Sequence, residues 1–252
     1  MIPIGDDNRD RRTTPFITWG LIAVNIVIFA VFQGFGTNER FLYAYSTVPE
    51  EILSGRDIVT GDKILVDPAS GARYSVPGLQ PTPVPVYLTI LISMFMHGGI
   101  AHILGNMLFL FIFGDNVEDR LGHFRFLLFY VFCGIVAGLA HVYVTKLTGG
   151  NLMVPSLGAS GAISGVLGGY LLLFPKRRVR VLLFRFITEV PAFIAVGLWF
   201  VFQVINGLGF LGGEDQGVAY AAHVGGFVIG FTTVKLWAAG RTATAGGSAS
   251  GH

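Results

Sequence analysis

Among the polar side chains that stand in apolar stretches of this chain, four matter most: His102, Asn106, Ser160 and His223. Ionisable or strongly polar groups are rare where polarity is costly, and each one there is a functional hypothesis by default. Serine and histidine together make a nucleophile and its general base, provided the hydroxyl comes within hydrogen-bond reach of the imidazole. Bland alternatives exist for each residue alone. A serine in a membrane helix commonly bonds its own i−4 carbonyl, and His141 reads as a packed or interfacial histidine without a role. The four taken together are better explained as a site.

Other chemistries fit less well. His97 and His102 are five apart rather than i, i+4, and no Glu accompanies them as in H-E-x-x-H, so no metal or other cofactor is expected. The Asp and Glu residues fall in terminal or loop segments, apart from Glu189 at the start of the fifth apolar span. Glu214 and Asp215 read as solvated loop charges. No carboxylate is expected at the depth of His223. That disfavours a proton-relay transporter and leaves a Ser–His pair without an acid.

The elements that must position these groups follow from composition. The chain has 252 residues, 52% hydrophobic and 13% charged, where a soluble domain carries roughly 25% Asp, Glu, Lys and Arg. With a mean hydropathy of +0.65 it reads as an integral membrane protein. Six apolar spans can be drawn, at about 15–32, 100–113, 124–144, 157–174, 190–208 and 217–237. The second extends backward through the apolar stretch 88–96. The first lacks a small-residue cleavage site and reads as a retained helix. One cysteine, Cys133, allows no internal disulfide, and a net charge of +2 gives no argument for nucleic acid.

Basic residues orient the spans. With the N-terminus inside, cytoplasmic segments hold twelve Lys and Arg against five outside, so both termini are expected in the cytoplasm. The second, fourth and sixth spans then run inward from the outer face, and all four polar residues share one layer below it. Gly161, Gly165 and Gly169 recur at i, i+4, i+8, as do Ala222, Gly226 and Gly230. Such small-residue faces let helix backbones approach closely, which would bring Ser160 near His223. The long first outer loop, about 33–87, holds an expected hairpin with strands near Lys63–Val66 and 72–76. The segment 1–14 is read as a cytoplasmic lead-in, 15–237 as the bundle, and 238–252 as a disordered tail.

The motifs resemble those of the rhomboid intramembrane serine proteases. Gly158-Ala159-Ser160-Gly161 is similar to the family's G-x-S-G; His97, His102 and Asn106 to its H-x4-H-x3-N; Ala222-His223 with Gly226 and Gly230 to its A-H-x-x-G-x-x-x-G; and Glu118, Arg120 and Gly122 to its E-x-R-x-G. The resemblance covers about 15–237 and implies an all-α, six-transmembrane-helix rhomboid-like bundle. It implies Ser160 as nucleophile, His223 as general base and then acid, and His102, Asn106 and the Ser160 N–H as oxyanion donors. His97, Glu118 and Arg120 would be structural. Substrates would be single-span membrane proteins, cleaved at a site opening toward the outer face of the bilayer, and a bundle without an extra helix fits a bacterial cell membrane. Two departures stand out: Ser164 takes the place of an aromatic that packs on the imidazole, and the outer loop lacks a Trp-Arg pair. Silent relatives that bind membrane clients typically lose one or both of the serine and histidine, which are both present here.

Overall fold

The computed structural model describes residues 1–66, 71–207 and 217–239. In chain order the elements are β1 (Ile2–Asp6), α1 (Phe16–Val27), α2 (Glu39–Tyr45), α3 (Pro49–Ser54), β2 (Lys63–Val66), β3 (Arg73–Val76), α4 (Thr89–Ser93), α5 (Ile100–Leu121), α6 (His123–Leu147), α7 (Ser160–Leu173), β4 (Arg178–Leu183), β5 (Phe186–Pro191), α8 (Ala192–Gly207) and α9 (Gly217–Ala238). Each expected span has a helical counterpart. Among the described residues, α5 and α6 are long and apolar enough to cross a membrane, while α1 with its continuation to Phe32, α7 and α8 are shorter apolar helices. Positions 126–145 of α6 contain no Asp, Glu, Lys or Arg, enough for about 30 Å of helix.

The first helix shows how this chain solves its burial problem. Thr18, Leu21, Asn25 and Phe29 face inward at helical spacing, whereas Phe16, Trp19, Val24, Ile26 and Val31 are exposed. Asn25 donates its side-chain N–H to the Leu21 carbonyl at 2.7 Å. Polar groups inside and apolar groups outside is the pattern a bilayer favours. At the centre lie Phe113, Phe126, Phe129, Tyr130, Leu167 and Tyr170, all essentially inaccessible.

The second span departs from its expected limits. It runs forward to Leu121 rather than backward, because the Gly98-Gly99 break separates it from the short α4. Its polar end is affordable because partners meet it. Glu118 accepts from the backbone N–H groups of Ile17 and Thr18 at 2.9 and 2.7 Å, capping the otherwise unpartnered start of α1. It also bonds His123 Nδ1 at 2.5 Å. Asp119 accepts from Thr13 N–H at 2.7 Å, and Arg11 pairs with Asp115 at 2.6 Å. Glu118 thus ties the end of α5 to the starts of α1 and α6, a structural position of the kind that the resemblance implies.

The expectation of an all-α protein needs correction. The segment 1–14 is not merely a lead-in, since β1 joins β4 and β5 in an antiparallel sheet ordered β1-β4-β5. Ile2 pairs with Leu182 and Asp6 with Val179, with an irregularity between Pro3 and Gly5. The β4–β5 hairpin turns tightly after the pair Leu183–Phe186. Val179 and Val181 are buried against the bundle while Arg178 and Arg180 face away, the period-2 alternation of a half-buried strand. Asp6 follows the chain inward and accepts from Tyr170 Oη at 2.6 Å and Asn116 Nδ2 at 2.8 Å. Arg177 donates to the same asparagine. The expected loop hairpin is present as β2 and β3, with Lys63 opposite Val76 and Val66 opposite Arg73. Glu214, Asp215, Leu208 and the tail beyond Ala239 lie outside the described residues.

Candidate active site

Ser160 opens α7 and His223 lies within the first third of α9. His223 Nε2 is 2.8 Å from Ser160 Oγ. The serine therefore does not spend its hydroxyl on a backbone carbonyl; Ser164, four residues on, does so instead, donating to the Ser160 C=O at 2.6 Å. As the first residue of its helix, Ser160 also has a backbone N–H without an i−4 acceptor in that helix. The positive end of the helix dipole sits there too.

Backbone contact between α7 and α9 sets this distance. A Cβ at Gly226 would overlap the Gly161 carbonyl oxygen, and one at Gly230 would overlap that of Gly165. The small-residue stripes thus bring the two helices together. The Gly161 and Gly165 α-carbons themselves turn toward α6, where a Cβ would meet Ala137 at 2.6 Å in the first case and Cys133 Sγ at 2.6 Å in the second. Gly158, just before α7, has φ +131°, a conformation that favours glycine. A Cβ there would also come within 3.0 Å of the His102 ring.

His102 and Asn106 face the same space from α5. With Ser160, Gln203 and His223 they line a cavity of about 250 Å³. The Gly98 N–H donates to His102 Nδ1 at 3.3 Å. A neutral imidazole that accepts on Nδ1 carries its proton on Nε2, the nitrogen turned toward Gly158. Asn106 Nδ2 is buried and has no hydrogen-bond partner among the described residues. Such an orphan donor is costly, and it lies in the wall of the cavity that holds Ser160. His97 belongs to the shell behind: its ring meets that of His102 edge-on at 5.1 Å. Gln33 clamps its backbone, accepting from its N–H at 2.9 Å and donating to its carbonyl at 2.8 Å.

Sequence reasoning missed what surrounds His223. Gln203 of α8 places Oε1 2.8 Å from His223 Nδ1. Trp199 packs beside the imidazole at 6.2 Å between centroids, and Tyr220 stands edge-on at 6.1 Å. Together these three side chains surround the His223 ring. The sequence carries a signal for one of them: Gln203 is an amide inside the apolar run Phe200-Val201-Phe202-Gln203-Val204, where polarity is costly.

Residues 85–239 match the Rhomboid domain family. The chain is similar to Rhomboid protein 1, mitochondrial, of Saccharomyces cerevisiae, at 35% identity over 60% of this chain and 42% of that protein. It is similar to Rhomboid protease GluP of Bacillus subtilis, at 34% identity over 56% of this chain and 24% of the relative. The matched region is thus less than half the length of either. YdcA of Bacillus subtilis, whose name marks its rhomboid-protease assignment as provisional, is 32% identical over 78% of this chain and 85% of its own length. With a family match over most of its length and a relative aligned nearly end to end, the chain belongs to the rhomboid family, whose members are integral membrane proteins.

Proposed function

We propose that this protein is an intramembrane serine endopeptidase working through a Ser160–His223 dyad. One observation carries the reading: the 2.8 Å contact between His223 Nε2 and Ser160 Oγ at the wall of a cavity that His102 and Asn106 also line. His223 takes the serine proton as Oγ attacks the scissile carbonyl. It then returns that proton to the leaving amine as the C–N bond breaks. Water, deprotonated by the same imidazole, hydrolyses the acyl-enzyme and restores the serine. The negative oxygen formed at each addition is met by the Ser160 N–H, His102 Nε2–H and Asn106 Nδ2. The orphaned Asn106 amide supports this role, since a donor without a partner at rest gains one as charge develops.

In this reading six helices cross the bilayer with both termini and the three-stranded sheet in the cytoplasm. The excess of Lys and Arg at that end supports the orientation. The site then opens below the outer face, in what would be a bacterial cell membrane, and takes single-span membrane proteins as substrates. A silent, client-binding role is less well supported, because a serine and an imidazole held in hydrogen-bond contact are what such a role does not need.

Cleavage of a single-span substrate in liposomes by the wild type, Ser160→Ala and His223→Ala tests the proposal. Product is expected from the wild type alone, together with labelling of Ser160 by a serine-directed phosphonate. Undiminished product from Ser160→Ala would refute it. So would a folded wild type that neither cleaves nor takes the label.

A further inference from the structure

Resting on the hydrolase reading above, we infer that Gln203 is a positioning residue for His223, whose amide oxygen holds the imidazole in the tautomer able to act as base toward Ser160. A neutral imidazole carries one N–H, on either nitrogen. Base action on Ser160 requires a free lone pair on Nε2, because Nε2 is the atom facing Oγ at 2.8 Å. The proton must then reside on Nδ1, and that N–H needs an acceptor in an apolar setting. Gln203 Oε1, 2.8 Å away, is that acceptor.

The surroundings sharpen the case. Gln203 is only 7% exposed, and a buried amide is costly unless paired. Its bond to His223 joins α8 to α9. From α8, Trp199 adds packing but no acceptor. Ser160 on α7 engages the other ring nitrogen, and Tyr220 stands edge-on from α9. The titratable groups around His223 among the described residues are His102, across the cavity on α5, His141 of α6, which lines the adjoining cavity with Ser160 and His223, and Tyr220. In soluble serine hydrolases a carboxylate fills the place of Gln203, both orienting the imidazole and stabilising its charged form. An amide supplies orientation without charge, which suits a medium where burying an ion costs several kcal/mol. The alignment also has a polarity. Were the amide reversed, its NH₂ would donate to Nδ1, move the proton to Nε2 and present N–H to Ser160. The base would be blocked.

The test combines spectroscopy with kinetics on the full-length protein in detergent or liposomes. With ¹⁵N-labelled histidine, assigned by difference from His223→Ala, the wild type near neutral pH should show His223 protonated at Nδ1 and bare at Nε2. Gln203→Met, near in volume and without an acceptor, should give a mixture of tautomers. Its kcat should fall about 10- to 100-fold with KM little changed, a smaller loss than the roughly 10⁴-fold of a misdirected triad imidazole. Gln203→Glu should restore the Nδ1–H form and much of kcat. A nearby negative charge favours the imidazolium, so the acid limb of its pH–rate profile should move to higher pH. A purely structural tie between α8 and α9 predicts no such movement. Wild-type His223 protonated at Nε2, or a folded Gln203→Met enzyme with undiminished kcat, would overturn the inference while leaving the hydrolase reading intact. A wild type that neither cleaves nor is labelled at Ser160 would overturn both.

Discussion

Gly226 of α9 lies directly against the carbonyl oxygen of Gly161 on α7, one residue after Ser160 and three after His223. The separation between Ser160 and His223 is therefore fixed by two backbones in contact, with no side chain to yield between them. Gly226→Val should push α9 away, at a cost of about 1–3 kcal/mol typical of overpacking. Phosphonate labelling of Ser160 should fall more steeply than the unfolding midpoint in detergent, because the dyad is next to the wedge. Wild-type labelling by this variant would show that the contact does not set the dyad.

Asn106 offers a case in which stability and activity part company. Its Nδ2 is buried without a partner, so Asn106→Ala removes a desolvated donor that contributes nothing at rest. Thermal unfolding in detergent should show a midpoint unchanged or raised. Turnover should fall about 10²- to 10³-fold, the usual loss for one oxyanion donor, with KM within a few-fold. A raised KM at constant kcat would remove Asn106 from the oxyanion role.

Asp6 predicts a pH dependence at the far end of the bundle. Burial outweighs its hydrogen bond from Tyr170 and raises its pKa from 3.8 to about 7. Between those values the folded protein holds a proton that the unfolded chain has released. The contribution of this group is therefore fully present below about pH 4 and is lost as pH rises toward 7. Each unit in that window costs at most about 1.4 kcal/mol. Asp6→Asn should be more stable than the wild type at pH 8 and gain little at pH 4, as read by unfolding midpoints. A gap that does not widen with pH would contradict the assignment.

The orientation is testable with one native cysteine that stays silent, since Cys133 is buried. Lys176→Cys and Asn151→Cys each put a thiol at an exposed position, at opposite ends of α7. In intact cells an impermeant maleimide should label the residue 151 thiol and spare the residue 176 thiol. Opening the cells should expose the second. The reverse pattern would invert the topology.

Much of this arrangement was legible in the sequence because a membrane interior makes polarity conspicuous. His102, Asn106, Ser160 and His223 stood out against apolar neighbours, and the glycine stripes indicated which helices touch. Gln203 carries the same signal, but neither its residue type nor its spacing belongs to a catalytic pair. The sheet was hidden for a different reason. Its partners, Ile2 and Leu182, meet only through tertiary pairing, and local pattern is a weak guide to non-local strands. The basic residues of β4 read as a loop, and Val190 and Pro191, which end β5, were absorbed into the following apolar span. Forward extension of α5 was equally hard to see, because charges that usually end a span are here answered by Arg11, Thr13, Thr18 and His123.

The strand at Ile2–Asp6 also dictates an order of assembly. It is made long before β4, at Arg178–Leu183, its strand partner among the described residues. During synthesis β1 must wait, unpaired, while α1, α5, α6 and α7 are made and packed. Its Asp6 side chain has nowhere to bind until Asn116 and Tyr170 are in place. The strand at Ile2–Asp6 is thus secured late, and its docking reports that Asn116 of α5 and Tyr170 of α7 are already in place.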